Sequence, residues 1–350
     1  MTNPVTFSVI CPTYNRSVRI LPTLRSVLAQ TVGDWELLVL SDGSDDDTVE
    51  VVSALAQTDD RIRVFELERS GHPSGPRQEG LRRARGSHIA YLDHDDVWRP
   101  DHLAWLRTLF ADEADGADWA ATGYRAVDDS GAVVRSSAWW DMCWHPELQI
   151  LDPLFEPSRV AHRRGLPESV GGWVVTSGLE DWDLWFRLTQ AGHRVRTTTA
   201  RTVSVFEGAG TRRYGVGPRH LANLLVTPDA RVAKRIRDAL SDPEVGRALK
   251  EASREDSRRR MARLGASPLY VAPLASAEVP EPDPDPVIAD GYRGPQPVIV
   301  PHRGQFALAV PVYCSTAAHA ERLGELLRSH ATAQVQVLRG LEQRFSPAAL

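Results

Sequence analysis

Residues His88 to Asp101 read HIAYLDHDDVWRPD. Ile89, Ala90, Tyr91 and Leu92 have the length and character of a short buried strand, and they stop abruptly at Asp93, His94, Asp95 and Asp96. Pro100 then suits the first turn of a helix whose inward face is Leu103, Trp105, Leu106 and Leu109. Carboxylates at the carboxyl end of a buried strand stand where open α/β sheets take up ligands. Asp93 and Asp95, two residues apart, suit a hard divalent cation bound through oxygen, and such a cation can grip a diphosphate. An acidic turn that only caps the next helix would have the same local sequence. Asp45/Asp47, Asp181/Asp183 and Asp283/Asp285 repeat the spacing, so the surrounding order of elements has to separate the two readings.

That order is regular. Val5 to Cys11 is an apolar run suited to a buried strand, broken by the polar turn Pro12, Thr13, Tyr14, Asn15, Arg16. Ile20, Leu24, Val27 and Leu28 follow on one helical face. Trp35 to Leu40 predicts a second strand ending in Ser41, Asp42, Gly43, Ser44, and Asp45 to Asp47 supply N-caps for a helix with Val51, Val52 and Leu55 inward. Arg61 to Leu67 is a third strand, and Pro76 to Leu81 belongs to a third helix. Strands and helices alternate four times, which predicts an α/β fold: a Rossmann-like, mainly parallel sheet with flanking helices. The turns at Tyr14, Asp42 and Asp93–Asp95 should then line one edge. No G-x-G-x-x-G follows the first strand and no phosphate loop of the G-x-x-x-x-G-K-[ST] type occurs. Phosphate must be held differently, and a metal on Asp95 is the available means.

Composition narrows the partners. A net charge of -5 over 350 residues gives no electrostatic case for nucleic acid. Cys11, Cys143 and Cys314 are odd in number and far apart, as reduced thiols of a cytoplasmic protein would be. The N-terminal residues lack a signal-peptide pattern, and no run of ~18 apolar residues occurs. The expectation is a cytoplasmic protein, with peripheral membrane contact left open.

Taken together, SVICPTYNR (8–16), LSDGSDDDT (40–48), GPRQEGL (75–81), YLDHDD (91–96) and LEDWDLWFRL (179–188) resemble a glycosyltransferase of family 2 with the GT-A fold, over roughly Val5 to Val205. The resemblance implies a nucleoside-diphosphate sugar donor, a UDP- or dTDP-sugar, with Mn2+ or Mg2+ and inversion at the anomeric carbon. It implies that Pro12 and Tyr14 contact the nucleotide sugar, Tyr14 stacking near the base, and that Asp42 hydrogen-bonds the base. Arg77 would help to hold the nucleotide, Asp93 would sit near the ribose and Asp95 would ligate the metal. Ser41 departs from the family, which usually has a second acid there, and His94 is unusual inside the metal motif.

The acceptor side is less patterned. Asp118 to Val134 predicts two strands around the turn 128–131. Ala138 to His145 is dense in aromatics without a clear period; it suits a satellite core or an aromatic wall for the acceptor, with Trp140 the candidate contact. Trp173 lies in a segment that resembles the one preceding the family's catalytic acid. Asp181, at the start of a helix, matches that acid: a general base that takes the acceptor hydroxyl proton as the hydroxyl attacks. Glu180, one residue earlier, would contact acceptor or backbone. Arg212 and Arg213, in a Gly-rich segment, suit either a lid over the diphosphate or an ordinary loop, and His220 is a remote metal candidate.

Four parts are expected: residues 1–217 as a GT-A catalytic domain, 218–265 as a helical extension, 266–301 as a Pro-rich linker or wrapped arm, and 302–350 as a small α/β tail. The third part holds nine of 24 prolines. The tail is too small to bury a core alone and should dock on the first domain or on a second subunit, giving a homodimer. A strand is expected at Gln334 to Leu338. No Gln-x-x-Arg-Trp motif follows Asp181, and no spanning helix is present to carry a polymer away. One sugar per acceptor is therefore expected, on a small molecule, glycolipid precursor or oligosaccharide. The alternatives are a binding protein of this fold without turnover and a sugar nucleotidyltransferase, although PTYNR is not the Gly-rich basic loop the latter needs.

Overall fold

The computed structural model describes residues 5–111, 116–151, 153–176, 178–208, 220–227, 229–279, 298–312 and 317–346. The chain forms two compact units, residues 1–215 with 271–281 and residues 216–270 with 282–350.

The first unit runs β1 (Phe7–Thr13), α1 (Ile20–Leu28), β2 (Trp35–Asp42), α2 (Thr48–Ala56), β3 (Ile62–Leu67), α3 (Ser74–Arg83), β4 (His88–Tyr91), β5 (Val97–Trp98), α4 (His102–Phe110), β6 (Trp119–Val127), β7 (Val133–Ser136), α5 (Pro146–Leu151), β8 (Val160–Arg163), α6 (Glu180–Gln190) and β9 (Val195–Phe206). Its sheet has the order β3-β2-β1-β4-β8-β6-β9-β5, with β7 beside β6. The first four strands are parallel. β8 enters antiparallel between β4 and β6, while β6 and β9 are again parallel. The expected α/β architecture with a mainly parallel sheet is therefore present.

Side-chain alternation sorts each strand onto two faces. Phe7, Val9 and Cys11 of β1, with Leu37 and Val39 of β2, pack against Ile20, Leu24 and Val27 of α1, Val52 of α2 and Leu106 of α4. Ile10, Leu38 and Leu40 point the other way, toward Leu81 of α3 and Leu184, Trp185 and Leu188 of α6. A sheet covered on both faces explains why its first strands read as unbroken apolar runs. Two details differ from expectation. Pro100 lies just outside α4, whose N-cap is Asp101. Trp105 is only half-buried, and the inward place is taken by His102, which pairs with Thr202 Oγ1 at 2.7 Å.

The second unit contains β10 (His220–Thr227), α7 (Ala230–Ala239), α8 (Pro243–Gly265), β11 (Val298–His302), β12 (Gln305–Val312), α9 (Ala317–His330) and α10 (Thr332–Phe345). Its antiparallel sheet has the order β10-β12-β11. The two-residue turn Arg303-Gly304, both at positive φ, closes the β11–β12 hairpin. Three expectations are corrected here. The extension of 218–265 is not wholly helical, because β10 pairs with β12 across a long sequence separation that no local pattern reports. The tail shares a unit with 216–270 and not with the first domain, and its Leu338 is fully buried within the chain. The strand expected at Gln334 to Leu338 lies inside α10, whose Val335, Leu338 and Leu341 recur at helical spacing. Asp256 of α8 caps that helix, accepting from the backbone N–H groups of Ala333 at 2.8 Å and Gln334 at 3.1 Å.

Between α8 and the prolines, residues 271–279 run back along the first unit. Val271 exchanges backbone hydrogen bonds with Trp144, and Leu274 does so with Thr197 and Thr199. Glu278 pairs with Arg99 and Arg125. This stretch of the expected linker is thus an arm laid on the domain; residues 280–297 lie outside the described residues.

Candidate active site

Parallel pairing of β1 with β2 and β4 brings three strand ends to one edge of the sheet. There a cavity of about 350 Å³ is lined by Pro12, Tyr14, Asp42, Arg77, Asp93 and Asp95, together with Arg16, Arg69 and His72. All six residues expected on the donor side therefore share one cavity.

Each wall is fixed by hydrogen bonds. Beyond β1 the chain turns at Asn15, in the left-handed region, and its side chain ties to Asp45 at 2.6 Å. Asp42, at the end of β2, is buried and accepts from Ser70 N at 2.8 Å, Ser70 Oγ at 2.7 Å and Gly71 N at 2.9 Å. Its carboxylate thus pins the loop after β3. In the turn after β4, Asp93 N donates to Ser158 Oγ at 3.0 Å, and Asp96 Oδ1 accepts from Phe206 N at 2.9 Å. Asp96 is buried, and its pKa is raised by that burial and by the neighbouring acids. Asp95 faces the cavity, with its pKa raised to about 6, first by burial and then by the charge of Asp93, with Arg16 opposing.

Among the described residues no three His, Cys, Asp or Glu side chains gather as a metal-holding group. Mg2+ and similar cations in phosphate sites take one or two carboxylates and fill the remaining positions with phosphate oxygens and water. Asp95, an oxygen donor in an acidic, part-buried turn, fits that pattern.

α3 joins this cavity to the acids of α6. Gly80 lets the helix sit close on β1, where an added Cβ would come within 2.7 Å of Ile10 Cγ2. Arg77, one turn earlier and 2% exposed, donates to Asp93 Oδ1 at 2.7 Å and Glu180 Oε1 at 3.0 Å. Those two carboxylates raise the guanidinium's pKa against the opposing effect of its burial. Its cationic carbon lies 4.7 Å from the centroid of the Trp173 ring. His72 Nε2 is 3.7 Å from Glu180 Oε2. Gln78 Oε1 accepts from Trp173 N at 2.9 Å, and Ser74 Oγ donates to Val174 O at 2.7 Å, so α3 also holds the loop that leads into α6.

The acceptor-side residues land differently. Glu180 is 3% exposed and engaged by Arg77, so it faces inward and not toward an acceptor. Trp173, 5% exposed, donates from Nε1 to Tyr91 Oη at 3.0 Å and packs edge-on to Trp185; it supports Arg77 from below. Trp139 and Trp144 are buried as well, and Trp144 meets Trp119 edge-on. Trp140, in a single 3-10 turn, stays half-buried. Asp181 is half-buried, its Oδ1 accepting from Trp182 N at 2.8 Å. Burial, then the charge of Glu180, pushes its carboxyl up to about 7. Leu179, just before these acids, is in the left-handed region at φ 61°, a strained conformation for leucine. Arg212 and Arg213 lie outside the described residues, as does the side chain of His220. The sequence reading assigned no role to Arg16, Arg69 or His72, although Arg69 and His72 follow the end of β3 on the same sheet edge.

The model of the family described as Glycosyl transferase family 2 matches residues 8–170. An uncharacterized glycosyltransferase of Rickettsia conorii is 34% identical over 188 residues, covering 53% of this chain and 30% of that protein. The UDP-Glc:alpha-D-GlcNAc-diphosphoundecaprenol beta-1,3-glucosyltransferase of Escherichia coli is 42% identical over 96 residues, covering 27% of this chain and 37% of that one. The match thus spans well under two thirds of these relatives. Residues 1–349 of S. aureus TarS, in complex with UDP-GlcNAc, share the fold with TM-score 0.53 at 19% identity, over 74% of this chain and 73% of that one. Among the described residues no helix is long and apolar enough to cross a membrane.

Proposed function

Because the chain carries a glycosyltransferase family 2 domain over residues 8–170, we propose that it moves one sugar from a nucleoside-diphosphate sugar to an acceptor hydroxyl, with inversion. The observation that carries this reading is the single cavity joining Tyr14, Asp42, Arg77, Asp93 and Asp95, linked through Arg77 to the helix that bears Asp181. In the proposed reaction the acceptor oxygen bonds to the anomeric carbon as the bond to the nucleoside diphosphate breaks. Asp181, as carboxylate, takes the hydroxyl proton. Tyr14 and Asp42 would bound the base end of the donor, and Asp93 the ribose. Asp95 would hold Mn2+ or Mg2+, which when bound supplies charge neutralisation to the departing diphosphate. For the acceptor we favour a lipid-linked saccharide, the kind of substrate named for the E. coli relative, with Trp140 at its edge.

Calorimetric titration of UDP with and without Mn2+ tests the donor half. The wild type is expected to bind only with the metal, and Asp95→Ala is expected to lose that metal-dependent binding. Unchanged affinity in Asp95→Ala would remove the metal from Asp95. The catalytic half has a pH signature. A base with its pKa at about 7 is half protonated there, so kcat/KM should rise with pH through about 7 and then level off. A profile flat across neutrality would count against Asp181. The stability effect has the opposite sign: the folded carboxyl holds its proton more tightly than the unfolded one, so the contribution of Asp181 to stability falls as pH climbs from 3.8 toward about 7.

A further inference from the structure

Beneath Arg77 lies a buried chain of hydrogen bonds that the proposed transfer does not use. Tyr91 of β4 and His162 of β8 are fully buried, on strands paired antiparallel with Ile89 opposite His162. Burial keeps the imidazole neutral, its pKa pushed down to about 4. His162 Nδ1 lies 2.8 Å from the Arg163 carbonyl, which can only accept, so the ring's one proton sits on Nδ1. Nε2 is then an acceptor, and the Tyr91 hydroxyl, 2.7 Å away, must donate to it. A lone pair of the same hydroxyl accepts from Trp173 Nε1 at 3.0 Å. The chain therefore runs in one direction only, from Trp173 through Tyr91 and His162 to the backbone of β8.

Trp173 is fixed at two points. Gln78 of α3 accepts from its backbone N–H at 2.9 Å, and Tyr91 meets its ring edge-on, with centroids 5.2 Å apart. The indole face so oriented lies 4.7 Å from the guanidinium carbon of Arg77. Arg77 Nε is buried and has no hydrogen-bond partner among the described residues, so the ring stands in for an acceptor. Tryptophan is the best aromatic partner for a cation, and desolvation strengthens the attraction.

We propose that Tyr91, its hydroxyl aimed by His162, is a positioning residue: by locking the Trp173 ring it holds Arg77 at the junction of the donor cavity and α6. This rests on the reading of Asp181 as the base. The charges that bear on Asp181 are Glu180 on its own helix and Glu156 of the segment leading into β8, which raise its pKa, and Arg77 of α3, which lowers it. Without the Tyr91 hydroxyl, the indole N–H loses its acceptor and the ring no longer has one preferred orientation. Arg77 then shifts toward Asp93, whose side chain is 30% exposed, and away from Glu180, at 4%. Asp181 thereby loses part of its opposing cation and holds its proton to higher pH.

The test follows the Asp181 carboxyl of the full chain by NMR across pH, assigned by its absence in Asp181→Asn, beside the pH profile of kcat/KM. Tyr91→Phe keeps the ring and removes the hydroxyl; Trp173→Phe keeps a ring under Arg77 and removes the N–H. Each is expected to raise the carboxyl pKa and the kinetic midpoint by about 0.5 or more, part of the roughly 1–3 that a nearby opposite charge exerts. The double variant should go no further, because both changes break the same bond. Melting temperatures show which variants fold, and either single variant is enough to read the shift. A carboxyl pKa unchanged in a folded single variant, or shifts that add in the double one, would overturn the inference and leave the chain as core packing. A carboxyl that shifts while the kinetic profile stays flat would instead overturn Asp181 as the base.

Discussion

Asp181→Asn is expected to slow sugar transfer by ~10²–10⁴-fold, the usual contribution of a positioned general base, while UDP affinity and melting temperature stay at wild-type values. Asparagine matches aspartate in shape and can still accept from Trp182 N as Asp181 does, but its amide has no useful basicity. Single-turnover transfer, measured beside UDP titration, separates the chemical step from binding. Full turnover in the variant would leave Asp181 as a helix-start acid that complements the dipole of α6. Glu180 would be a poor substitute, since Arg77 already engages it in the interior.

Arg77→Met is expected to lower stability by about 3–5 kcal/mol, the range for removing one partner from a buried ion pair. The loss comes from what is left behind: Glu180, 3% exposed, and Asp93 would each lose their cationic partner. Denaturant unfolding followed by tryptophan fluorescence is the readout, helped by Trp173 beneath the guanidinium. Glu180→Gln in the Arg77→Met background should recover part of the loss, because one uncompensated charge is gone. A loss near that of an exposed pair, about 1 kcal/mol or less, would mean that water reaches these carboxylates.

The strand-end geometry was legible because it depends on local runs. Val9 to Cys11, Leu37 to Leu40 and Ile89 to Leu92 are apolar on both faces, and each stops at a polar turn, so alternation with helices leaves one arrangement for their ends. Orientation around α6 was not legible in the same way. Glu180 and Asp181 are neighbours, and which of them turns toward Arg77 depends on α3 docking over Ile10 at Gly80, 100 residues earlier. The tryptophans misled for a related reason. An indole suits a sugar face and a core equally well, and only the stacking of Trp119 on Trp185, 5.6 Å apart, draws Trp144 and Trp173 inward. β10 was missed because its partner, β12, lies far along the chain.

The arm formed by residues 271–279 bears on the order of events during synthesis. Trp144, Thr197 and Thr199 take their backbone partners from Val271 and Leu274, and Thr199 Oγ1 also accepts from Ser276 N at 2.8 Å. While a ribosome is making residues 216–270, these groups of the nascent first unit have only water to bond. The first unit thus waits, with one seam open, for a segment encoded after the opening half of the second. Splitting the gene into two chains between Gly265 and Val271, with the catalytic strands intact, would leave that seam to be closed in trans.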